Sequence, residues 1–337
     1  MKKLTMIIAM TLSLLLLATG LFAQEMKTIS KEFKNVESLE IELVSGDCEI
    51  IAGSGKTVSV EVKYDVKPEG NFKPEFEQQD NTLELSEEWF GHSSRGKVLW
   101  TITAPAETEV EFSAASGDLS IEKMNTTIEV ETASGDIRFI SAKGEVDVST
   151  ASGDIIVKNM EGDLEFSTAS GDILIEDSKG NIELSTASGD IEAKNLEGEF
   201  DFEVASGDIE VEESNGKFSC STASGDMDIN EVVLTGGSEF SVASGDIKIV
   251  LAKSPAHNVE LSTASGDVTL DYNGNKIMGT IEMTARKKRG EINAPFKADD
   301  IEEFEKHGDD YIRKTYLRGD GPMITIKTAS GDVSLKK

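Results

Sequence analysis

The chain has 337 residues, and its 33 Lys and Arg against 63 Asp and Glu give a formal net charge of −30 at pH 7. Binding to nucleic acid requires a basic footprint, and direct docking to anionic lipid requires basic residues too, so this charge argues against both. A surface this acidic attracts cations.

The first 23 residues have the pattern of a secretory signal peptide. Lys2 and Lys3 form a positive start, Met6 to Leu17 form the apolar run, and cleavage is expected after Ala23. The apolar stretch could nearly span a bilayer, but Gly20 and several polar residues favour cleavage. We therefore expect an exported protein that is periplasmic, on the cell surface or secreted.

Residues 24–110 are rich in β-forming sequence without a regular repeat. Four segments alternate as strands do: Leu39 to Val44, Val58 to Val66, Thr82 to Leu85 and Val98 to Thr103. Terminal units of a repeat protein are atypical because they must protect an edge. We expect this region to consist of irregular β coils that cap the start of the array.

Residues 111–270 carry the triplet Ser-Gly-Asp at a fixed period. Of its eleven occurrences in the chain, seven are 18 residues apart, with the aspartates Asp118, Asp136, Asp154, Asp172, Asp190, Asp208 and Asp226. Two looser copies follow at Asp246 and Asp267, and outliers lie at Asp47 and Asp332. A constant period of this size is typical of a solenoid, whose extended faces usually bind or build.

Each 18-residue unit contains two short alternating segments. A second glycine, such as Gly162, lies nine residues after the triplet glycine and divides the unit into equal halves, each predicted to be one strand and one corner. In one unit the inward residues are Ile155, Val157, Leu164, Phe166 and Thr168. The pattern predicts an all-β fold, a parallel β-solenoid with 18-residue coils. A two-sheeted roll is favoured, and a three-sided β-helix is the alternative because 18 also divides into three sixes.

The two cysteines occupy inward positions of this pattern. Cys48 replaces the usual Ile or Val after the triplet, and Cys220 replaces Phe or Leu of the second segment. Coils stack about 4.8 Å apart, and a disulfide needs Cα atoms within about 7 Å. Because the two cysteines are several coils apart, we predict no intramolecular disulfide.

Residues 271–337 break the period and are predicted to be a capping segment with a returning strand. Arg286 to Arg289 form a basic cluster, interpreted as a solvated turn that offsets local acid. Asp299 to Lys306 are predicted to form a short helix, with Asp299 as its cap and Gly308 as its stop. The array then resumes from Met323 to Leu335 with the last triplet.

Several of these tracts resemble a known family. They are Trp100-Thr-Ile-Thr-Ala-Pro, the repeated Thr-Ala-Ser-Gly-Asp-Ile, and Pro322-Met-Ile-Thr-Ile-Lys-Thr-Ala-Ser-Gly-Asp-Val-Ser-Leu335. The resemblance is to a bacterial β-strand-repeat family of unknown function that carries the label "putative adhesin", and it covers nearly the whole mature chain. It implies an exported or membrane-linked protein and supplies no catalytic residues.

The seven aspartates in register are the first candidate for chemistry. The structural interpretation is that each Asp, helped by Ser, accepts hydrogen bonds from corner amides. The alternative is a cation ladder, as in calcium-binding nonapeptide rolls. Those rolls repeat Gly-Gly-x-Gly-x-Asp in each half-coil, which this chain lacks, so no cofactor is predicted and calcium stays the open alternative.

Two further rows run along the array. An outward acidic row is interpreted as a solvated face that resists aggregation, with weak polysaccharide or cation binding as the alternative: Glu129, Asp147, Glu165, Glu183 and Asp201. An inward threonine row is interpreted as structural, with hydrogen bonds between coils: Thr150, Thr168, Thr186 and Thr222.

The sequence contains no arrangement that points to catalysis. His92, His257 and His307 are scattered without the spacing of metal ligands, and no serine-nucleophile motif is present. We predict a non-enzymatic, exported β-solenoid that serves as an adhesin or cell-envelope scaffold. A cation- or glycan-binding module is the alternative, and a polysaccharide-active enzyme is the remote one. The expected partners are cell-surface or envelope components, or a second copy through self-association, with no nucleic acid and no direct anionic-membrane binding.

Overall fold

The computed structural model describes residues 26–91 and 93–337, and the regular elements in this part of the chain are all β-strands. The predicted signal peptide, residues 1–23, lies outside the described residues, as does His92. Within the described ranges, no helix has the length and apolar character needed to cross a membrane.

Seven strands precede the regular repeats. They are β1 (Lys27–Lys34), β2 (Ser38–Leu43), β3 (Asp47–Gly53), β4 (Thr57–Lys67), β5 (Phe72–Gln79), β6 (Thr82–Trp89) and β7 (Arg95–Pro105). All four segments that the sequence predicted as strands in this region fall on β2, β4, β6 and β7.

The repeat region alternates short and long strands. They are β8 (Glu109–Ala114), β9 (Leu119–Glu122), β10 (Ile128–Thr132), β11 (Ile137–Ile140), β12 (Lys143–Thr150), β13 (Ile155–Lys158), β14 (Glu161–Thr168), β15 (Ile173–Glu176), β16 (Lys179–Ser188), β17 (Ile191–Lys194), β18 (Glu197–Ser206), β19 (Ile209–Glu212), β20 (Asn215–Ser224), β21 (Met227–Leu234), β22 (Ser238–Ser244), β23 (Ile247–Leu251), β24 (Val259–Ser265) and β25 (Val268–Asp271).

Six strands complete the chain. They are β26 (Gly279–Arg286), β27 (Ile292–Asn293), β28 (Asp300–Lys306), β29 (Asp309–Arg318), β30 (Met323–Thr328) and β31 (Val333–Lys336).

The strands stack as a parallel β-solenoid with two sheets, as the sequence predicted. Sheet A has the order β7, β3, β9, β11, β13, β15, β17, β19, β21, β23, β25, β31, β27. Sheet B has the order β6, β2, β8, β10, β12, β14, β16, β18, β20, β22, β24, β30, β26. Through the strict repeats, each residue lies beside the residue 18 positions later.

The two halves of a coil are unequal, which corrects the prediction of equal halves. In one unit the sheet A strand has 4 residues and the sheet B strand has 8. Gly162 does not end a strand; it lies second in β14, with φ 150°. A Cβ at this position would lie 1.8 Å from the carbonyl oxygen of Gly144 in the preceding coil. Glycine is therefore required here by the close approach of two coils.

The turn between the two strands of a coil uses non-glycine residues in the left-handed region. Asn159, for example, has φ 56° and precedes the buried Met160. This conformation recurs every 18 residues with φ between 51° and 60°, at Lys123, Ser141, Asn159, Asp177, Asn195, Glu213 and Glu231. Such residues cost strain, which the stacked coil on each side must offset.

The two outlying triplets lie in register with the others because both chain ends insert into the stack. Strands β2 and β3 lie between the coil of β6 and β7 and the coil of β8 and β9. Strands β30 and β31 lie between the coil of β24 and β25 and the coil of β26 and β27. Asp47 and Asp332 therefore occupy the same corner as the regular aspartates.

Antiparallel strands cover both ends of the solenoid. At the start, β4 pairs with β7, β1 pairs with β4, and β5 pairs with β6. At the other end, β29 pairs with β26 and β28 pairs with β29. Pro74 lies in the edge strand β5, and β28 is rich in Asp and Glu. Proline and charge on an edge disfavour further strand pairing.

The predicted helix from Asp299 to Lys306 is wrong. The segment forms β28, joined to β29 by the two residues His307 and Gly308, with φ 53° and 82°. Two successive positive φ values match the turn of a tight β-hairpin. The strands β28 and β29 pair on either side of this turn, beginning with Lys306 and Asp309. Gly308, which was interpreted as the stop of a helix, is part of the turn of a hairpin.

The core lies between the sheets and is continuous along the rod. All five inward residues predicted for the unit around Gly162 are buried, from Ile155 to Thr168. Cys48 and Cys220 are buried free thiols, and burial raises the pKa of each well above its ordinary value. The inward threonines bond between coils as predicted: Thr186, for example, donates to the Gly171 carbonyl at 3.2 Å.

Candidate functional site

All eleven triplet aspartates belong to one hydrogen-bonded row. Oδ1 of Asp190 accepts a hydrogen bond of 2.8 Å from the backbone amide of Asp208, one coil later. The same bond joins every consecutive pair from Asp47 to Asp332, with distances of 2.7 to 3.1 Å. The last carboxylate accepts from the amide of Glu291 at 2.8 Å. Each aspartate therefore accepts a hydrogen bond from a corner amide, and that amide belongs to the next coil and not to its own.

This row is a chain of single carboxylates. Across residues 26–91 and 93–337, no three His, Cys, Asp or Glu side chains are grouped so that they could hold a metal ion. One oxygen of each aspartate from Asp118 to Asp226 is already an acceptor for the next coil. The geometry of the row is that of a connection between coils.

The outward acidic row from Glu129 to Asp201 lies exposed on sheet B, as predicted. An ion pair between adjacent coils flanks it on sheet B, Lys217 with Glu199 at 3.1 Å, and another lies on sheet A, Lys194 with Glu212 at 2.6 Å. The basic turn makes similar pairs, with Arg286 bonded to Asp309 and Lys287 to Glu303. Exposed pairs of this kind contribute little to stability, but they offset part of the acidic charge.

Beside the acidic row, the outer surface of sheet B is concave. Thr186 and Ser188 of β16 pair with Val204 and Ser206 of the next coil, whereas Ala187 between them is not part of this pairing. Thr186 is buried, whereas Ser185 and Ala187 point outward and both line a groove. Equivalent side chains of successive coils recur about 4.8 Å apart along this concave surface.

Successive coils extend this concavity into one groove along the solenoid. One part has a volume of about 1290 Å³ and runs from Thr150 to the hairpin of β28 and β29. A second part of about 810 Å³ continues towards Glu42, and the two parts share Thr150 and Ala169. The floor carries two rows in register. The hydroxyl row is Ser167, Ser185, Ser221, Ser241 and Ser262; the methyl row is Ala169, Ala187, Ala205, Ala223, Ala243, Ala264 and Ala329.

The C-terminal end of the groove is closed by the hairpin. Phe304 and Tyr311 pair across its strands with ring centroids 5.7 Å apart, and both line the groove. Three cations line the same end: Lys306, Arg313 and Lys327. The only acid among the residues lining this part of the groove is Glu203, near its middle.

The N-terminal end contains the buried carboxylate of Glu87. Its oxygens accept the indole N–H of Trp100 at 2.9 Å and of Trp89 at 3.0 Å. They also accept the amides of Val44 and Ser45 at 2.9 and 3.0 Å. Because β6 and β7 carry no triplet, Glu87 supplies the acceptors for this first corner, and its four donors fix its position.

The groove was not foreseen from the sequence. Its Ser and Ala residues precede each Ser-Gly-Asp triplet and were given no binding role from the sequence, and its closing hairpin was predicted as a helix. The repeated Ser-x-Ala before each triplet was the available signal. Chemically, the groove offers hydroxyl donors and acceptors, methyl surface, and one cationic and aromatic end. Such a surface suits non-covalent binding of an extended chain.

A family model described as Toastrack DUF4097 matches residues 36–199 and 162–302. No curated protein matches the chain.

The solved structures that match this chain are distant in sequence. A "putative adhesin" from Parabacteroides distasonis ATCC 8503 is 12% identical, with 92% of this chain and 97% of that chain covered and a TM-score of 0.37. A "putative lipid binding protein" from the same organism is 14% identical, with 94% and 98% covered and a TM-score of 0.36. A "putative cell adhesion protein" from Clostridium sporogenes ATCC 15579 is 11% identical, with 92% and 99% covered and a TM-score of 0.23.

Proposed function

The chain belongs to the Toastrack DUF4097 family, whose function is unknown, and from that premise we propose that it is an exported, non-enzymatic adhesion or cell-envelope scaffold module. Its working surface is the groove of sheet B, which holds an extended partner chain. Export is supported by the signal-peptide pattern of residues 1–23.

The observation that carries this proposal is the continuity of the groove. Its two parts have volumes of about 1290 and 810 Å³ and share lining residues, so the concavity extends along many coils. A compact small molecule would fill only a fraction of that length. A chain-like partner could contact the same Ser and Ala positions in coil after coil, and many weak contacts would add up to useful affinity.

The chemistry of the groove supports binding over turnover. Its floor consists mainly of hydroxyl and methyl groups, and the buried carboxylate at its N-terminal end is saturated by four donors. General acid–base catalysis is favoured by a group whose pKa lies near the working pH. Among the described residues, Cys220 and Tyr272 have strongly raised pKa values, and both side chains are buried in the core.

Filling the groove tests the proposal. Ala223→Trp places a large ring on the groove floor, whereas Glu210→Trp places the same ring on the outward face of sheet A. Both positions are exposed, so both variants should fold. Binding to purified cell-envelope fractions should fall at least about tenfold for Ala223→Trp only, a difference of about 1.4 kcal/mol. Equal binding by both variants would show that the groove is not the working surface.

A further inference from the structure

The closed end of the groove differs in chemistry from the rest of the molecule. Most of the surface is acidic, with a net charge of −30 for the chain. Three of the residues that line this end are cations, and two more are aromatic. The acids nearest to these cations, Glu260, Glu282 and Glu302, are not among the lining residues.

The cations are held in place by the sheet itself. Lys327 lies beside Ser262 on one strand and Thr284 on the next, and Arg313 lies beside Thr284 on the strand after that. Arg313 and Lys327 thus continue the row of groove-floor serines across the end of sheet B. Lys306 lies further along the hairpin, two residues beyond Phe304.

Two of these cations are paired in the structure, Lys327 with Glu260 at 2.7 Å and Arg313 with Glu302 at 3.3 Å, so a ligand carboxylate competes with these exposed acids for them. In the part of the chain that the structure describes, the ion pairs of the hairpin region do not include Lys306. Arg313 Nε is buried without a hydrogen-bond acceptor among the described residues and lies 3.9 Å from Glu282 Oε2, so a ligand would meet the outer nitrogens of the guanidinium instead. The Arg313 guanidinium carbon also lies over the Phe304 ring, 5.1 Å from its centroid. A planar, oriented guanidinium beside a lysine is suited to a carboxylate.

The remainder of the groove limits what the ligand can be. Glu203 lies on its floor, and the row containing Glu165, Glu183 and Asp201 runs two residues away on the same outward face. A polyanion lying along the groove would be repelled by these acids, which argues against an anionic body for the ligand. The repeated hydroxyl row suits a partner that is itself rich in hydroxyl groups.

We propose that the groove binds a linear, neutral glycan chain whose terminal sugar carries a carboxylate, with that sugar at the hairpin end. Lys306, Arg313 and Lys327 receive the carboxylate, and Phe304 and Tyr311 pack against the sugar ring. The serine row exchanges hydrogen bonds with the hydroxyls of the preceding sugars. This inference rests on the proposed function, because it names the occupant of the same groove.

The test uses an array of linear oligosaccharides printed in pairs, each neutral chain beside the same chain ended by a uronic or sialic acid. The full mature protein should prefer the acid-ended member of at least one pair by about tenfold or more, as expected for charge-assisted hydrogen bonds. The preference should weaken with added salt, because salt screens exposed charges. A protein that treats both members of every pair alike would overturn the inference.

Two variants keep this test separate from the folding of the hairpin. Lys306→Gln should remove most of the preference while binding of the neutral member is kept, whereas Lys248→Gln, in an exposed pair with Asp228 on sheet A, should change neither. Vesicles containing a long-chain fatty acid serve as a competitor. If they displace the glycan and bind by themselves at the Lys306 end, the occupant is a lipid and the inference fails. If Ala223→Trp abolishes envelope binding while no pair shows a preference, the proposed function stands and this inference fails alone.

Discussion

The amide of Asp332 donates a hydrogen bond of 2.7 Å to Oδ1 of Asp267, which lies 65 residues earlier in the chain. At the other end, Asp118 makes the equivalent bond to Asp47, 71 residues earlier. Between them, each step of the row joins consecutive coils. The triplet therefore performs one task throughout the molecule, and the two inserted segments attach both chain ends to the solenoid.

The row predicts a specific effect of charge and shape at one aspartate. Asp190→Ala removes the acceptor for the Asp208 amide, and the lost hydrogen bond should lower the free energy of unfolding by about 1 kcal/mol. Asp190→Asn keeps an acceptor and removes the repulsion between neighbouring carboxylates, so it should be as stable as the parent. Urea denaturation measures both. An alanine variant with unchanged stability would contradict the role assigned to the row.

The second glycine row predicts a much larger effect. At Gly180, φ is 131° and a Cβ would lie 1.8 Å from the Gly162 carbonyl oxygen. Gly180→Ala should therefore cost about 3 kcal/mol or more, from backbone strain together with a forced separation of coils. Gly274→Ala is the control, because its φ is 78° but no atom lies within 4 Å of the added Cβ. Thermal unfolding of the two variants should differ clearly; similar melting temperatures would argue against the close approach.

Glu87 should be essential to the first coil. Glu87→Leu leaves two indole N–H groups and two amides without their acceptor in a buried place, so we expect a loss of about 3 kcal/mol or more. Glu87→Gln keeps one acceptor oxygen and should be intermediate. Because Trp100 is fully buried beside Glu87, tryptophan fluorescence should report the change directly. Leu and Gln variants with the emission of the parent would exclude this role.

The hairpin should depend on pH through Asp299. The Leu317 amide, at 2.8 Å, lowers the pKa of Asp299 below its ordinary value of 3.8, and Arg318 lowers it further. A carboxyl with a lowered pKa stabilises the fold above its unfolded pKa, and this contribution is lost as the pH falls through the folded value. Hydrogen exchange of the Leu317 amide should accelerate as the pH falls below about 4, relative to its intrinsic rate. In Asp299→Asn the acceleration should be absent, and an identical profile in both proteins would refute the link.

The sequence was sufficient for the features that repeat strictly. The period, the inward residues around Ile155 and Phe166, and the burial of Cys48 and Cys220 all follow from spacing and alternation, because parallel stacking places equivalent residues beside one another.

Other features depended on contacts between distant segments. The left-handed turn at Lys123, Ser141 and Asn159 uses different residue types, so no sequence signal marks it. The register of Asp47 and Asp332 depends on strand insertion across long intervals, which spacing alone does not reveal. The groove arises from a bend of sheet B at Ala187 and its equivalents, where alanine resembles ordinary turn chemistry. The hairpin from Asp300 to Arg318 was missed because helix and hairpin share polar and glycine signals at their ends.

The central claim is that the groove of sheet B is the working surface, and cross-linking tests it most directly. A photoreactive side chain is placed at Ser185 in the groove, and the matched control has it at Glu192 on the outward face of sheet A. Each protein is incubated with intact cells or envelope fractions and then illuminated. The account predicts that Ser185 captures a partner and Glu192 does not. Capture at Glu192 alone, or equal capture at both, would contradict it.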